Sequence, residues 1–227
     1  MRVLGIVTAR GGSKGLPGKN LKLLGGKPLI AYTLESAAES AVFDRVILST
    51  DDAEIAEVAR RAGAEVVVRP EALARDETPS LDVMLHAFEQ VSHQGQRFDG
   101  VMLLQPTNPL RPVGMVEAAI RRFLREPCDS LITISRRRLK LGRVTQGQFV
   151  PSYAFGTQSR LMPDACYENG LLYLTKPDVL RRGSLTGDTV LGFETERPFD
   201  DVDIDEPIDL LIGEAILHAV RGQLEYA

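Results

Sequence analysis

A glycine-rich segment near the start of the sequence, TARGGSKGLPGKN at residues 8–20, carries the cationic side chains Arg10, Lys14 and Lys19. It follows the apolar run VLGIV, which is typical of a buried strand. Glycines let backbone N–H groups approach phosphate oxygens closely, and fixed cations stabilise the charge that develops during nucleotidyl transfer. The segment therefore predicts a triphosphate-binding loop, and a solvated surface loop is the alternative.

Two common phosphate-binding motifs do not fit this loop. A Walker A loop has glycine, four residues, and then Gly-Lys followed by Ser or Thr. Counting back from Gly18 places Ser13 at the first glycine position, and Asn20 follows the lysine. The dinucleotide fingerprint G-x-G-x-x-G is also absent, and Pro17 would interrupt the entry into a helix. The loop therefore belongs to neither of these two nucleotide-binding classes.

A second segment with chemical potential is FDDVDIDEP at residues 199–207, which contains five acidic residues. Carboxylates at positions i and i+2 of an extended chain point to the same side, so Asp203 and Asp205 could share one magnesium ion. The alternative is a helix start, with Asp205 as the N-cap and Glu206 and Pro207 in the first turn. The residues alone leave both interpretations open, and Asp205 could serve both.

These segments are embedded in a regular alternation of apolar runs and helix-period segments. Strands are predicted at residues 2–7, 45–50, 64–69, 100–105, 129–135 and 170–175, and helices at 28–40, 52–63, 80–91, 113–127 and 206–222. This pattern predicts an α/β fold with a Rossmann-like, mostly parallel sheet and helices on both faces. Residues 1–227 are expected to form one domain.

Several polar residues follow the predicted strands, where open α/β sheets bind ligands. Gln105 ends one strand, and Arg69 and Asp51 come at the ends of two others. Each has a structural alternative, since a glutamine or an aspartate at such a place often only satisfies a turn or caps a helix. Ser80 lies at a predicted helix start, where capping is its default role.

The alternation breaks at residues 136–168, which form a predicted irregular arm without helical periodicity. A stretch of this length is typical of a functional loop, a hairpin or a partner contact. Its first residues, RRRLK at 136–140, could attract an acidic substrate, although an exposed charge run is the commoner explanation.

Composition narrows the functional classes. The chain has 227 residues and a net charge of −4, which argues against bulk binding to nucleic acid or an anionic membrane. Cys128 and Cys166 form no C-x-x-C pair, so neither a redox motif nor a zinc site is indicated. The first apolar run is too short for a signal peptide or a membrane span, and we expect a cytoplasmic protein.

The loop ARGGSKGLPGKN resembles the signature loop of the CMP-acylneuraminate (CMP-sialic acid) synthetases, which are cytidylyltransferases of the nucleotide-diphospho-sugar transferase fold. The resemblance continues in order through FDRVILSTDD, LLQPTNPLR, YENGLLYLT and DDVDIDEPIDL. It implies a magnesium-dependent reaction, in which CTP and a nine-carbon keto-sugar acid (a nonulosonic acid) give a CMP-sugar and pyrophosphate. It also implies a homodimer that uses the arm.

The resemblance assigns roles to individual positions. Arg10, Lys14 and Lys19 would hold the triphosphate, and Asp203 and Asp205 would bind Mg2+. The implied nucleotide-binding set is Ala9, Arg10, Ser13, Lys19, Asn20, Arg69, Thr78 and Ser80. The implied sugar-binding set is Gln105, Asn169 and Lys140, the last reaching into the neighbouring subunit's site.

The sugar-binding half departs from the resembled pattern. Tyr167 and Ser159 stand where the synthetases commonly have arginine. The acceptor is therefore open among neuraminate, legionaminate, pseudaminate and related acids. Two other functions also stay open: a glycosyltransferase with D-V-D-I-D as its metal motif, and a non-catalytic nucleotide-binding regulator.

Overall fold

Seven strands form the central sheet of the protein in a computed structural model, which describes residues 2–92, 96–196, 198–199 and 202–221. The sheet strands are β1 (Val3–Thr8), β4 (Arg45–Thr50), β5 (Glu65–Val68), β6 (Gly100–Leu104), β7 (Ser130–Arg137), β10 (Ala165–Thr175) and β11 (Val190–Thr195). Their order in the sheet is β11-β7-β10-β6-β1-β4-β5. Asp200 and Asp201 of the acidic segment lie outside the described residues.

Most neighbouring strands run in parallel. β1 pairs in parallel with β4 and β6, β4 with β5, and β11 with β7, whereas β10 is antiparallel to both β6 and β7. The predicted mostly parallel sheet is therefore confirmed. The carboxyl ends of β1, β4, β5 and β6 lie along one edge, which brings the residues that follow them together.

Helices cover both faces because the central strands alternate their buried side chains between two apolar clusters. The helices are α1 (Leu29–Glu39), α2 (Ala53–Arg61), α3 (Ser80–Ser92), α4 (Met115–Arg125), α5 (Pro177–Arg181) and α6 (Pro207–Val220). In β1, Val3 and Val7 join the cluster under α1, α2 and α4, and Leu4 and Ile6 join the cluster under α3 and α5. No helix within the described part of the chain is long and apolar enough to cross a membrane.

The arm contains a hairpin, which is one of the alternatives that the sequence leaves open, but its two ends are more regular than predicted. β7 extends to Arg137 and β10 begins at Ala165, so both ends of the arm belong to the central sheet. Between them, β8 (Gly142–Thr145) and β9 (Gln148–Pro151) form a hairpin. Its two-residue turn has positive φ at Gln146 and Gly147, which matches the strand twist of a tight hairpin. β2 (Leu23–Leu24) and β3 (Lys27–Pro28) form a second small hairpin.

Candidate active site

A cavity of about 530 Å³ opens at the carboxyl edge of the parallel strands. Nine of the residues singled out in the sequence line it: Arg10, Ser13, Lys14, Lys19, Asn20, Arg69, Thr78, Ser80 and Asp205. The rest of its lining includes Thr107 from the segment after β6. The structure thus brings the cationic loop, the acidic segment and the polar strand ends to one place.

The glycine-rich loop is held against the end of β4. The backbone N–H of Ala9 donates to the Ser49 carbonyl at 3.1 Å, and that of Gly11 donates to the Asp51 carboxylate at 3.1 Å. The side-chain amide of Asn20, which is buried, donates to the Arg10 carbonyl at 3.0 Å. These bonds fix the start and the end of the loop while the segment between them stays at the cavity wall. Asp51 therefore anchors the loop.

Asp52, rather than Asp51, caps α2. Its carboxylate accepts the backbone N–H groups of Glu54 and Ile55. Because Asp52 caps the start of α2, the Asp51 carboxylate can accept the backbone N–H of Gly11 instead.

Each cation of the loop is paired with a carboxylate. Arg10 and Lys14 both pair with Asp76, and the Lys14 ammonium lies 2.7 Å from its Oδ2. Lys19 lies 2.5 Å from Asp205 Oδ1, with its own side chain 13% exposed. The loop and the acidic segment are therefore in direct contact, and the loop holds an anion between Arg10 and Lys14.

The acidic segment is extended and pinned to the residues after β6. The Ile204 N–H donates to the Thr107 carbonyl at 2.8 Å, and the Asn108 amide donates to the Val202 carbonyl at 3.1 Å. Val202 and Ile204 are buried, whereas Asp203 and Asp205 are exposed. The two carboxylates thus share the outer side of the segment, as the i, i+2 spacing predicts.

The electrostatics of Asp203 indicate a place suited to a cation. Its surface is more than a third accessible, yet protein atoms surround the carboxylate closely enough that desolvation raises its pKa. A hydrogen bond with Thr107 and the charge of Lys19 oppose this rise, and the charge of Asp205 adds to it. A divalent cation would relieve this carboxylate repulsion, and the oxygen donors are of the type that Mg2+ prefers.

The helix-start interpretation of Asp205 is wrong, because Glu206 is the N-cap of α6. Glu206 and Asp209 form a reciprocal capping box, and Pro207 is the first helical residue. The Asp205 N–H donates to the Asp209 carboxylate at 2.9 Å, so Asp205 lies one residue before the cap. The Asp205 carboxylate therefore does not cap the helix, and it pairs with Lys19.

The Arg69 side chain is 6% exposed and donates from Nη2 to the Ser49 carbonyl at 2.8 Å. This burial lowers the pKa of its guanidinium, and Asp51 opposes the shift. Thr78 and Ser80 follow on the same segment and also line the cavity. Ser80 is the first residue of α3, and the Pro79 carbonyl accepts the first N–H groups of that helix. Ser80 is therefore not the cap that its sequence position favours.

Gln105 and Asn169 do not line the cavity, but Gln105 reaches Gly170, the residue after Asn169 in the irregular part of β10. Gly170 has φ of +79°, and a Cβ at that position would lie 2.9 Å from Gln105 Oε1. The Asn169 amide donates to the Ser135 hydroxyl at 2.9 Å and the Thr195 hydroxyl at 2.7 Å. Asn169 thus joins three strands, and its contact with a sugar stays a prediction.

Tyr173 and Glu168 extend this side of the site. The Tyr173 hydroxyl donates to Glu168 Oε2 at 3.3 Å, and burial with nearby negative charge raises the Tyr173 pKa to about 12. The negative charge of Asp203 contributes to the rise in the Tyr173 pKa, so the Asp203 carboxylate is close enough to act on the Tyr173 hydroxyl. No local pattern in the sequence marks Tyr173, because the bulge in β10 determines where its side chain lies.

Arg111 supports this side of the site from inside the fold. It is fully buried and donates to the Leu171 and Gln105 carbonyls and to the Thr33 hydroxyl. We expect Arg111→Ala to lower the free energy of unfolding by about 3 kcal/mol or more, since each buried acceptor left without a donor costs about 1–3 kcal/mol. Urea denaturation measures this change. Arg121→Ala, which removes a side chain that is 76% exposed, is the control, and equal stability of the two variants would contradict the prediction.

Lys140 lies apart from the other predicted site residues. It is on the exposed arm, where its ammonium is 5.9 Å from the centre of the Tyr153 ring. Within one copy of the chain it is not among the residues that line the cavity. A role for Lys140 in substrate binding therefore requires another subunit.

Asp76 and Thr107 are site residues that the sequence analysis missed. Asp76 follows a predicted strand by several residues, in the run ALARDETPS, and no spacing rule links it to the glycine-rich loop at residues 8–20. The excess of positive charge in the glycine-rich loop is the one sequence feature that indicates a nearby carboxylate, because partly buried cations need a counter-ion when no phosphate is bound.

Comparisons with known proteins support the family indicated by the motifs. Residues 4–146 match the profile of the family described as cytidylyltransferase. The CMP-N,N'-diacetyllegionaminic acid synthase of Legionella pneumophila is 32% identical over 96% of this chain and 97% of that protein. The pseudaminic acid cytidylyltransferase of Campylobacter jejuni is 34% identical over 76% of this chain and 78% of that protein. The N-acylneuraminate cytidylyltransferase A of Danio rerio is 33% identical over 92% of this chain but 49% of that protein.

A solved structure shows the same fold. The CMP:2-keto-3-deoxy-manno-octonic acid synthetase, determined in complex with CTP, superposes with a TM-score of 0.70 at 18% identity. The match covers 96% of this chain and 99% of that one. With the profile match over most of the chain and the full-length relative, these findings confirm the resemblance: the chain belongs to the family of cytidylyltransferases that contains the CMP-nonulosonic acid synthetases.

Proposed function

We propose that this protein transfers the cytidylyl group of CTP to a nonulosonic acid, giving the CMP-sugar and pyrophosphate. The observation that carries the proposal is the meeting of the cationic loop and the acidic segment at one cavity, which Asp205 lines and where it contacts Lys19. This arrangement suits a reaction in which a polyphosphate must be held and its negative charge offset.

The residues divide into three roles in this proposal. Arg10, Lys14 and Lys19 hold the triphosphate and offset the charge of the leaving pyrophosphate. Arg69, which is buried just after β5, contacts the nucleoside together with Asn20, Thr78 and Ser80. The backbone N–H of Ala9 already donates to the Ser49 carbonyl, so it is not available to the nucleotide. Ala9 therefore contributes through the backbone conformation of the loop.

Asp203 and Asp205 would hold Mg2+ together with phosphate oxygens and water. Such an ion supplies Lewis-acid stabilisation of the phosphate charge when bound. The two carboxylates fit that role because they lie on one side of an extended segment. Desolvation raises the pKa of Asp203, and the nearby charge of Asp205 adds to this rise. Lys19, which contacts Asp205, keeps the acidic segment against the loop before CTP binds.

The acceptor side is proposed to include Gln105 and the turn at Asn169, with Lys140 supplied by a second copy of the chain. Exposed apolar side chains on the arm favour such a homodimer: Leu139, Leu141, Val144, Phe149, Val150 and Phe155. Light scattering during size-exclusion chromatography tests this point. A dimer mass supports the arrangement, and a monomer that is active would contradict a role for the partner's arm.

The activity is tested by pyrophosphate release from CTP in the presence of Mg2+ and a panel of nonulosonic acids. We expect release with at least one of neuraminate, legionaminate or pseudaminate derivatives, and none when ATP replaces CTP or when EDTA removes the metal. Measurable CTP binding without release for any acid would contradict the proposal and favour a non-catalytic regulator.

A further inference from the structure

Asp76 occupies the position between two cations of the glycine-rich loop. Its Oδ1 pairs with Arg10 and its Oδ2 with Lys14 at 2.7 Å, so both carboxylate oxygens are engaged. The side chains of Arg10 and Asp76 are only 26% and 28% exposed, so their contact is partly shielded from solvent. Asp76 therefore acts as an anion bound at the convergence of Arg10 and Lys14.

The neighbouring acidic residue does not share this position. Glu77 is 82% exposed and approaches only Lys14, at 4.0 Å. The hydrogen bond from Lys14 and the charges of both cations lower the pKa of Asp76, which keeps its carboxylate ionised at neutral pH. The negative charge between Arg10 and Lys14 thus comes from Asp76 and not from Glu77.

The proposed function assigns the same two cations to the triphosphate. A polyphosphate that contacts them must displace the Asp76 carboxylate or bind beside its negative charge, and either event weakens binding. When pyrophosphate leaves, the carboxylate can return to the cations and replace the lost contacts. CMP lacks the β- and γ-phosphates, so this competition does not apply to it.

We propose that Asp76 is an internal competitor of the pyrophosphate group, which weakens the binding of free polyphosphate anions and assists the release of pyrophosphate. This inference rests on the proposed function, because it takes Arg10 and Lys14 as ligands of the leaving group. Asp76 also lies on the segment that carries Arg69 and Thr78, which line the same cavity. A ligand with a nucleoside can also contact this segment, whereas pyrophosphate has no nucleoside to offset the competition with Asp76.

Isothermal titration of pyrophosphate and of CMP into wild-type protein, Asp76→Asn and Glu77→Gln tests the inference. Solvent-exposed ion pairs are weak, so removing the charge that competes for Arg10 and Lys14 has a modest effect, and we expect D76N to bind pyrophosphate about fivefold more tightly. CMP affinity should stay as in the wild type. E77Q, which removes the adjacent charge without freeing Arg10, should bind pyrophosphate like the wild type.

Unchanged or weaker pyrophosphate binding by D76N would overturn the inference, since Asp76 would then orient Arg10 for the phosphate instead of competing with it. Asp76→Ala must shift the affinity in the same direction as D76N, and thermal unfolding shows that both variants are folded. The readout is binding without acceptor or turnover. A failure of the inference is therefore distinct from an absence of pyrophosphate release in the activity assay.

Discussion

Replacing Lys19 with alanine is expected to lower kcat by about 100- to 1,000-fold, the loss typical of removing one preorganised group that stabilises transition-state charge. Lys19 begins a short 3-10 helix, Lys19–Leu21, which fixes its backbone at the cavity wall. Its ammonium lies 2.5 Å from Asp205 and is shielded from solvent, so it faces the place where phosphate charge develops in the proposed reaction. Steady-state kinetics with CTP and an accepted acid measure the change.

Lys22→Ala is the matched control for this variant. Lys22 is exposed, lies three residues further along the chain and is not among the residues that line the cavity. Both variants should unfold near the wild-type temperature. In K19A the ion pair with Asp205 is lost, but the Asp205 side chain is 67% exposed, and ion pairs to exposed groups contribute little to stability. A K19A enzyme that turns over as fast as K22A would show that the loop cation does not stabilise the reaction.

Asp203→Asn and Asp205→Asn are each expected to lower turnover by about 1,000-fold at a fixed Mg2+ concentration, because metal-assisted charge stabilisation is worth several kcal/mol. A neutral amide keeps the size of the side chain but is a weaker ligand for a hard cation. Titrating Mg2+ in the pyrophosphate-release assay separates lost metal affinity from lost catalysis. Asp188→Asn, a change at an exposed position remote from the cavity lining, should leave both unchanged.

The stability of these variants provides an independent readout. Because the folded-state pKa of Asp203 is raised above its ordinary value of 3.8, this group contributes stability that is present at lower pH and is lost as pH rises through the raised pKa. At neutral pH the ionised carboxylate therefore opposes folding when no metal is bound. The melting temperature of metal-free D203N should equal or exceed that of the wild type. A large decrease would mean that Asp203 is needed for the fold rather than for the reaction.

Much of the site could be predicted because it is determined by strand ends. The apolar runs before Ala9, Arg69 and Gln105 predict buried strands, and parallel strands present their carboxyl ends at a common edge. The spacing of Asp203 and Asp205 likewise predicts two side chains on one side, and burial of Val202 and Ile204 confirms it. For these residues, a local sequence pattern and one packing rule are sufficient to predict where the side chain lies.

Other features depend on contacts between distant parts of the chain. Asp76 meets Arg10 only because the segment after β5 folds over the loop, and the sequence carries no sign of that approach. The resemblance implies that Asn169 contacts the sugar, and no sequence pattern indicates that its amide also donates to hydroxyl groups of β7 and β11. β11 itself was missed, since the short edge strand VLGFET has weak alternation and gains its place by pairing with β7.

The most direct test of the central claim is to follow the oxygen atom that joins sugar and nucleotide. An accepted nonulosonic acid labelled with 18O at the anomeric hydroxyl is incubated with CTP, Mg2+ and the purified protein, and phosphorus NMR is recorded. Attack of that hydroxyl on the α-phosphate predicts an isotope shift in the CMP-sugar resonance, together with unlabelled pyrophosphate. A CMP-sugar without the label at its bridging oxygen, or no CMP-sugar at all, would contradict the account.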